Sequence, residues 1–241
     1  MADPQEGRWR SRILAKLPDP VASAARRAWG RLKAAPYRLQ YGFWPPPIWT
    51  DLVGYESLIK IIEERKLLAI PGDFVEVGAF CGGGTYKLSR FLLRERSEKR
   101  LFAIDCFDIH ADHSECTAGE RMGDMYSRML EGKSQEEVFR QVTQGLTNLV
   151  VMATDSKKAS LPTNAVAFGF VDGNHSPDYV ESDFYLVWEK LSPGGVVAFH
   201  DYGHDLPEVT AKLDELCAKH RSEILESFVL DEKHILGIRK Q

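Results

Sequence analysis

The chain has 241 residues, 44% hydrophobic and 27% charged, with 19 Gly and 12 Pro, which is the balance of a globular protein and excludes fibrous or disordered classes. Its formal charge of −4 hides two pieces: residues 1–50 carry nine Lys/Arg against three Asp/Glu, while residues 51–241 carry 22 against 32, a net −10. So acidic a body argues against a nucleic-acid groove as the main business of the fold, no nucleic-acid partner is expected, and no apolar run reaches the roughly 20 residues that cross a bilayer.

Residues 1–50 form a basic arm in which arginines alternate with Trp9, Trp29, Tyr37 and Trp44 and which ends at Pro45, Pro46 and Pro47. A helix here would lay Ile13, Leu14 and Leu17 against an apolar surface; packing on its own domain or on a neighbouring protomer of a homo-oligomer is expected before membrane contact. The arginine-rich start has no apolar stretch followed by a small-residue cleavage site, so secretion is not expected. The four cysteines are scattered without a CxxC pair, so neither a zinc knuckle nor a disulfide framework is expected, and a cytoplasmic location fits.

From residue 51 the pattern alternates. A helix is expected over about 52–68, then a buried strand in DFVEVGAF (73–80) running into a glycine-rich turn, a helix over about 84–96 and a strand LFAID (101–105). Residues 106–133 read as a long irregular lid. A helix over about 134–146, strand LVVMA (149–153), strand AVAFGFVD (165–172), a helix over about 178–191 and strand GGVVAFHD (194–201) follow. A helix over about 207–220 precedes two strands, ESFVL (226–230) and HILGIRK (234–240), separated only by a turn. Strands alternating with helices pair in parallel, with helices on both faces. The expected fold is a doubly wound, Rossmann-like α/β domain over 51–241 with a seven-stranded, mostly parallel sheet and a C-terminal antiparallel hairpin.

Ligands of such sheets sit at the carboxyl ends of the strands. The first strand ends in EVGAFCGGGTY, where Gly78 permits a tight turn and Gly82, Gly83 and Gly84 would let a ligand approach the backbone at a helix start. Glu76 would repel a pyrophosphate and suit a cationic ligand bearing an ammonium and a sulfonium. Asp105, closing the second strand, can accept from both ribose hydroxyls. Asp155 and Ser156 can bond an adenine edge or simply make an Asx turn. Asp172, His200 and Asp201 would converge at neighbouring strand ends about 4.8 Å apart. There they could hold a divalent ion, Mg²⁺ by default, or activate a substrate hydroxyl as a base. His175 and His204 are second candidates. His110, Asp112 and His113 would lie above the site or on the exposed surface of the lid. Cys81 lacks a positioned partner and is expected to be a packing residue.

These motifs resemble class I S-adenosylmethionine-dependent methyltransferases across about 52–241, through GDFVEVGAFCGGG (72–84), FAID (102–105), FVDGNHSPDYVESDF (170–184) and LSPGGVVAFHDY (191–202). The nearest type is the macrocin O-methyltransferase group, with the cephalosporin-hydroxylase-like group close in PGDFVEVG and VDGNHS. The resemblance implies S-adenosylmethionine as cofactor: Glu76, Gly78 and Gly82 on its methionine portion, Asp105 on its ribose, Asp155 and Ser156 on its adenine. It further implies Mg²⁺ on Asp172 and Asp201, with His200 standing where the group has an aspartate. The implied substrate is a small-molecule hydroxyl of a sugar or other natural product. The rivals are a nicotinamide enzyme, which the missing G-x-G-x-x-G disfavours, and a catalytically inactive binding module whose basic arm recruits a partner or membrane.

Overall fold

The structure is a computed structural model that describes residues 31–111, 113–115, 119–203 and 206–241. The chain divides into two units, Met1–Pro45 and Pro46–Gln241. In the first, residues 31–41 are helical, the rings of Tyr37 and Tyr41 lie 4.5 Å apart, and the Arg38 guanidinium sits 4.7 Å from the centre of Trp44. The expected apolar stripe Ile13, Leu14 and Leu17 lies outside the described residues, as do Asp112 and His204.

The second unit begins about five residues earlier than the composition break suggests. Thr50 is buried, its hydroxyl donates to Pro47 O at 2.6 Å, and its backbone packs against Gly83. Residues 46–50 therefore belong with the sheet. Its elements are α1 (Glu56–Glu64), β1 (Asp73–Val77), α2 (Gly83–Arg94), β2 (Leu101–Asp105), α3 (Met122–Leu130), α4 (Gln135–Val142), β3 (Leu149–Ala153), β4 (Val166–Val171), α5 (Pro177–Trp188), β5 (Leu191–Phe199), α6 (Pro207–Lys219), β6 (Ile224–Leu230) and β7 (Ile235–Lys240).

The seven strands run in the order β3-β2-β1-β4-β5-β7-β6. The first five pair in parallel, and β7 lies antiparallel to both β5 and β6. This is the expected fold, and the order reverses between β1 and β4, which marks that crevice as the ligand position.

Alternation along each strand sends neighbouring side chains to opposite faces. Val75 and Val77 of β1 join Phe102, Ile104, Phe184, Val187 and Leu213 in the cluster beneath α5 and α6. Phe74 joins Leu58, Ile62, Leu88, Phe91 and Phe168 beneath α1 and α2. Glu76 lies between them in a buried strand, on the Phe74 face.

Two expectations need correction. The first helix stops at Glu64 because Lys66 adopts a left-handed conformation, with φ 54°, before a short 3-10 turn at Leu67–Ala69. The segment 106–133 is not irregular throughout. It contains α3, whose Leu130 is buried with Cys81 and Val138 and whose Tyr126 ring lies 4.7 Å from Phe80. Among the described residues no helix is long and apolar enough to cross a membrane.

Candidate active site

A cavity of about 530 Å³ opens at the carboxyl ends of β1 to β5. Its floor begins at Gly78, whose φ is +84° and where an added Cβ would stand 1.9 Å from the backbone oxygen of Asp172. Here β1 and β4 part at the switch point, and only glycine lets their backbones approach so closely.

The three glycines that follow have a different cause from the one expected. An added Cβ would meet Phe139 and Thr143 of α4 at Gly82, the Thr50 backbone at Gly83 and the Tyr55 ring at Gly84. Their smallness admits protein, and of the three only Gly84 lines the cavity. Gly82 is thus a packing position behind the wall.

Glu76 is also displaced from its expected role. It is fully buried and does not line the cavity. Thr85 Oγ1 donates to its Oε2 at 2.5 Å, and burial pushes its carboxyl up to about 8 despite hydrogen bonds from Thr85 and Tyr55. A largely protonated acid beneath α2 offers little charge to a sulfonium. The negative charge of the cavity comes instead from Asp51, Asp105, Asp108, Glu115, Asp155, Asp172 and Asp201, which all line it.

Asp105 closes β2 and reaches across to β1. Its Oδ2 accepts from the backbone N–H of Ala79 at 2.9 Å and of Phe80 at 2.8 Å, its Oδ1 accepts from Phe107 N–H at 2.7 Å, and Gln135 Nε2 lies 3.3 Å from both oxygens. Burial raises its carboxyl above the usual range, against these hydrogen bonds. It therefore shapes the turn as well as facing the cavity. Phe80 and Phe107, which it holds, both adopt positive φ, at 46° and 53°. Non-glycine residues in that region mark a constrained rim.

Asp155 makes the expected Asx turn and has a place on the cavity wall. Its Oδ1 accepts from Lys157 N–H at 3.0 Å in an Asx turn, and with Ser156 it lines the cavity. Behind Ser156 lies Asp183 of α5, about 1% exposed. Burial pushes its carboxyl up to about 7, and neither carboxyl oxygen has a hydrogen-bond partner among the described residues. Sequence reasoning missed this residue. The signal was present, since Asp183 falls on the apolar stripe Val180, Phe184, Val187 at helical spacing, where an acid needs a reason.

The ends of β4 and β5 converge as expected. His200 Nδ1 lies 3.1 Å from Asp172 Oδ1 and 3.1 Å from Asp201 Oδ2, and His175 Nε2 lies 2.8 Å from Asp201 Oδ2. Burial alone would lower the His200 value, but the two carboxylates outweigh it and push the imidazole up to about 10. The same contacts hold Asp201 well below the usual carboxylate range despite its burial. Asp201 also carries φ +60°.

With its ring protonated, His200 donates from Nδ1 between the two carboxylates. Among the described residues, ligand atoms of Asp172, His175 and Asp201 lie within 4.8 Å of one another, which brings His175 into the expected set. Two carboxylates and one imidazole suit a divalent ion, although a nitrogen ligand selects less strongly for Mg²⁺ than an all-oxygen set.

Two segments close the cavity. Asp51 accepts from Gly54 N–H at 2.8 Å and from buried Lys87 at 2.5 Å, and Lys87 also reaches Glu56 at 2.5 Å. This ion network fastens Thr50, Asp51 and Tyr55 to the rim. On the lid, Ile109, Glu115, Met122 and Tyr126 line the cavity. His110 and His113 are exposed, and neither lines it. Cys81 is a packing residue, fully buried, its thiol pushed up to about 12 by burial.

Comparison with known proteins agrees with this architecture. Residues 75–202, just over half of the chain, match a family described as Methyltransferase domain, and the chain belongs to that methyltransferase family. No curated protein matches it. Among solved structures it is similar to the O-methyltransferase NovP, at 21% identity over 80% of this chain and 82% of that one with a TM-score of 0.62. It is also similar to CalS11, a TDP-rhamnose 3'-O-methyltransferase of calicheamicin biosynthesis, at 14% identity over 99% and 96% with a TM-score of 0.55. At these identities the likeness establishes the fold.

Proposed function

We propose that this chain transfers a methyl group from S-adenosylmethionine to a hydroxyl of a sugar or other natural-product small molecule. The observation that carries the reading is a single cavity in which Asp105, Asp155 and Ser156 line one side and Asp172, His175, His200 and Asp201 line the other. The first set faces the ribose and adenine, and the turn at Gly78 faces the methionine portion. When bound, S-adenosylmethionine supplies an electrophilic methyl on a sulfonium.

The chain's own residues position and deprotonate the acceptor. The carboxylates lining the cavity complement a cationic cofactor. Asp172 takes the acceptor proton as the new O–C bond forms and the S–C bond breaks. The His200 cation orients Asp172 and Asp201. Alignment of the two reactants supplies much of the rate, and the lid excludes water. Asp172, His175 and Asp201 would hold a divalent ion such as Mg²⁺, which would lower the pKa of a bound hydroxyl.

Calorimetry with S-adenosylmethionine, followed by transfer of labelled methyl to a panel of glycoside and phenol hydroxyls, tests the reading. Saturable cofactor binding and transfer to oxygen support it. Cofactor binding without transfer to any acceptor in the panel favours the binding module, and tighter binding of a nicotinamide dinucleotide would replace the reading altogether.

A further inference from the structure

The lid is fastened to the β4 loop at one point where chemistry and anchoring coincide. Asn174 Nδ2 donates to Ala111 O at 3.0 Å, and one residue further on the two ring nitrogens of His175 face different elements. Nε2 meets Asp201 Oδ2 at 2.8 Å, and Nδ1 meets Ser114 Oγ of the lid at 3.1 Å. Ser114 is itself tied to the start of α3, since Met122 N–H donates to Ser114 O at 3.0 Å and Glu115 bridges Arg121.

A carboxylate only accepts, so the proton between His175 and Asp201 sits on Nε2. When the ring is neutral, Nδ1 is an acceptor, and the Ser114 hydroxyl is a partner that can donate to it. Resting on the methyl-transfer reading of the cavity, we infer that Ser114 is a positioning residue: it donates to His175 Nδ1, fixes the tautomer and ring orientation that Asp201 requires, and so ties the segment around Ser114 to the acceptor side. A serine hydroxyl can also accept. The same contact would thus persist if Nε2 turned to a divalent ion and Nδ1 carried the proton, the outer-sphere arrangement that ordinarily orients a ligating imidazole.

The test uses the full chain labelled with ¹⁵N-histidine, without cofactor or metal, with His175→Gln identifying the His175 signals. The wild type should show the proton on Nε2 and a hydrogen-bonded acceptor at Nδ1. Ser114→Ala should shift the Nδ1 signal towards that of a less strongly bonded acceptor and raise hydrogen exchange at Met122 about three- to tenfold, the effect of one neutral hydrogen bond. Ser114→Thr should restore both. A His175 ring protonated on Nδ1, or ring signals and lid exchange that Ser114→Ala leaves in place, would overturn the inference. In the transfer assay Ser114→Ala should lower kcat while leaving the KM for S-adenosylmethionine in place. Absence of turnover in the wild type would count against methyl transfer alone, because the spectra decide the placement of Ser114 without it.

Discussion

The turn after β1 and the ends of β4 and β5 look equally functional as sequence, yet they are built for opposite reasons. In the turn, glycines make room for protein: Phe139 and Thr143 against Gly82, Thr50 against Gly83, Tyr55 against Gly84. At the β4 and β5 ends, polar side chains are held by one another, His200 between Asp172 and Asp201, and His175 on Asp201, with all four facing the cavity. A glycine-rich turn therefore reports close approach of some kind, whereas converging unlike charges at neighbouring strand ends report chemistry more directly.

The contrast can be broken by substitution. The largest effect is expected at Lys87, which anchors the turn side by pairing with Asp51 and Glu56 while only 8% exposed. Removing one partner of a buried pair strands the other charges, so Lys87→Met should cost about 3–5 kcal/mol in urea unfolding; an unchanged midpoint would show that the segment around Asp51 is not held by this network.

On the opposite side, Asp172→Asn should lower kcat by about 10²-fold or more while leaving S-adenosylmethionine affinity and stability in place. Equal loss of affinity and turnover would make Asp172 a cofactor or structural residue.

Gly82→Ala places a Cβ 2.8 Å from a Phe139 ring carbon at a left-handed φ of +80° and should lower stability by about 1–3 kcal/mol through overpacking and backbone strain, with cofactor affinity retained by the folded protein. A stable variant that binds cofactor poorly would return Gly82 to the cavity.

At a single acidic pH the smallest effect is expected at Glu76, whose signature is a pH dependence. Its folded value near 8 against 4.5 means that the native state keeps a proton the unfolded chain releases. The associated stability is complete below about pH 4.5 and is lost as pH rises through about 8. Glu76→Gln should change stability at pH 5 by less than about 1 kcal/mol and should flatten the decline between pH 5 and 9, read from urea midpoints at each pH.

Much of the fold was legible because its central strands are buried on both faces. LFAID reads as an apolar run and coincides with β2, and LVVMA does the same at the half-buried edge strand β3. The lid helix α3 was not legible, since MGDMYSRML includes Gly123 and follows Arg121, which makes no side-chain cap. Its order comes from packing Leu130 and Tyr126 on distant residues. In the site, strand-end position found Asp105, Asp155, Asp172 and Asp201. Which face a buried residue occupies decided the rest: Glu76 turns under α2, and His200 lies between two carboxylates while His175 joins Asp172 and Asp201. Asp51 and Tyr55 come from a segment whose place on the rim depends on long-range ion pairing to Lys87, which no local pattern encodes.

The central claim is that the crevice between β1 and β4 receives S-adenosylmethionine, and titrating S-adenosylhomocysteine into the folded full chain and its Asp155→Ala and Asp172→Asn variants by calorimetry tests it most directly. The account predicts one saturable site, weakened by Asp155→Ala and unchanged by Asp172→Asn. A folded wild type that shows no heat of binding, or an affinity that falls with Asp172→Asn and not with Asp155→Ala, would contradict it.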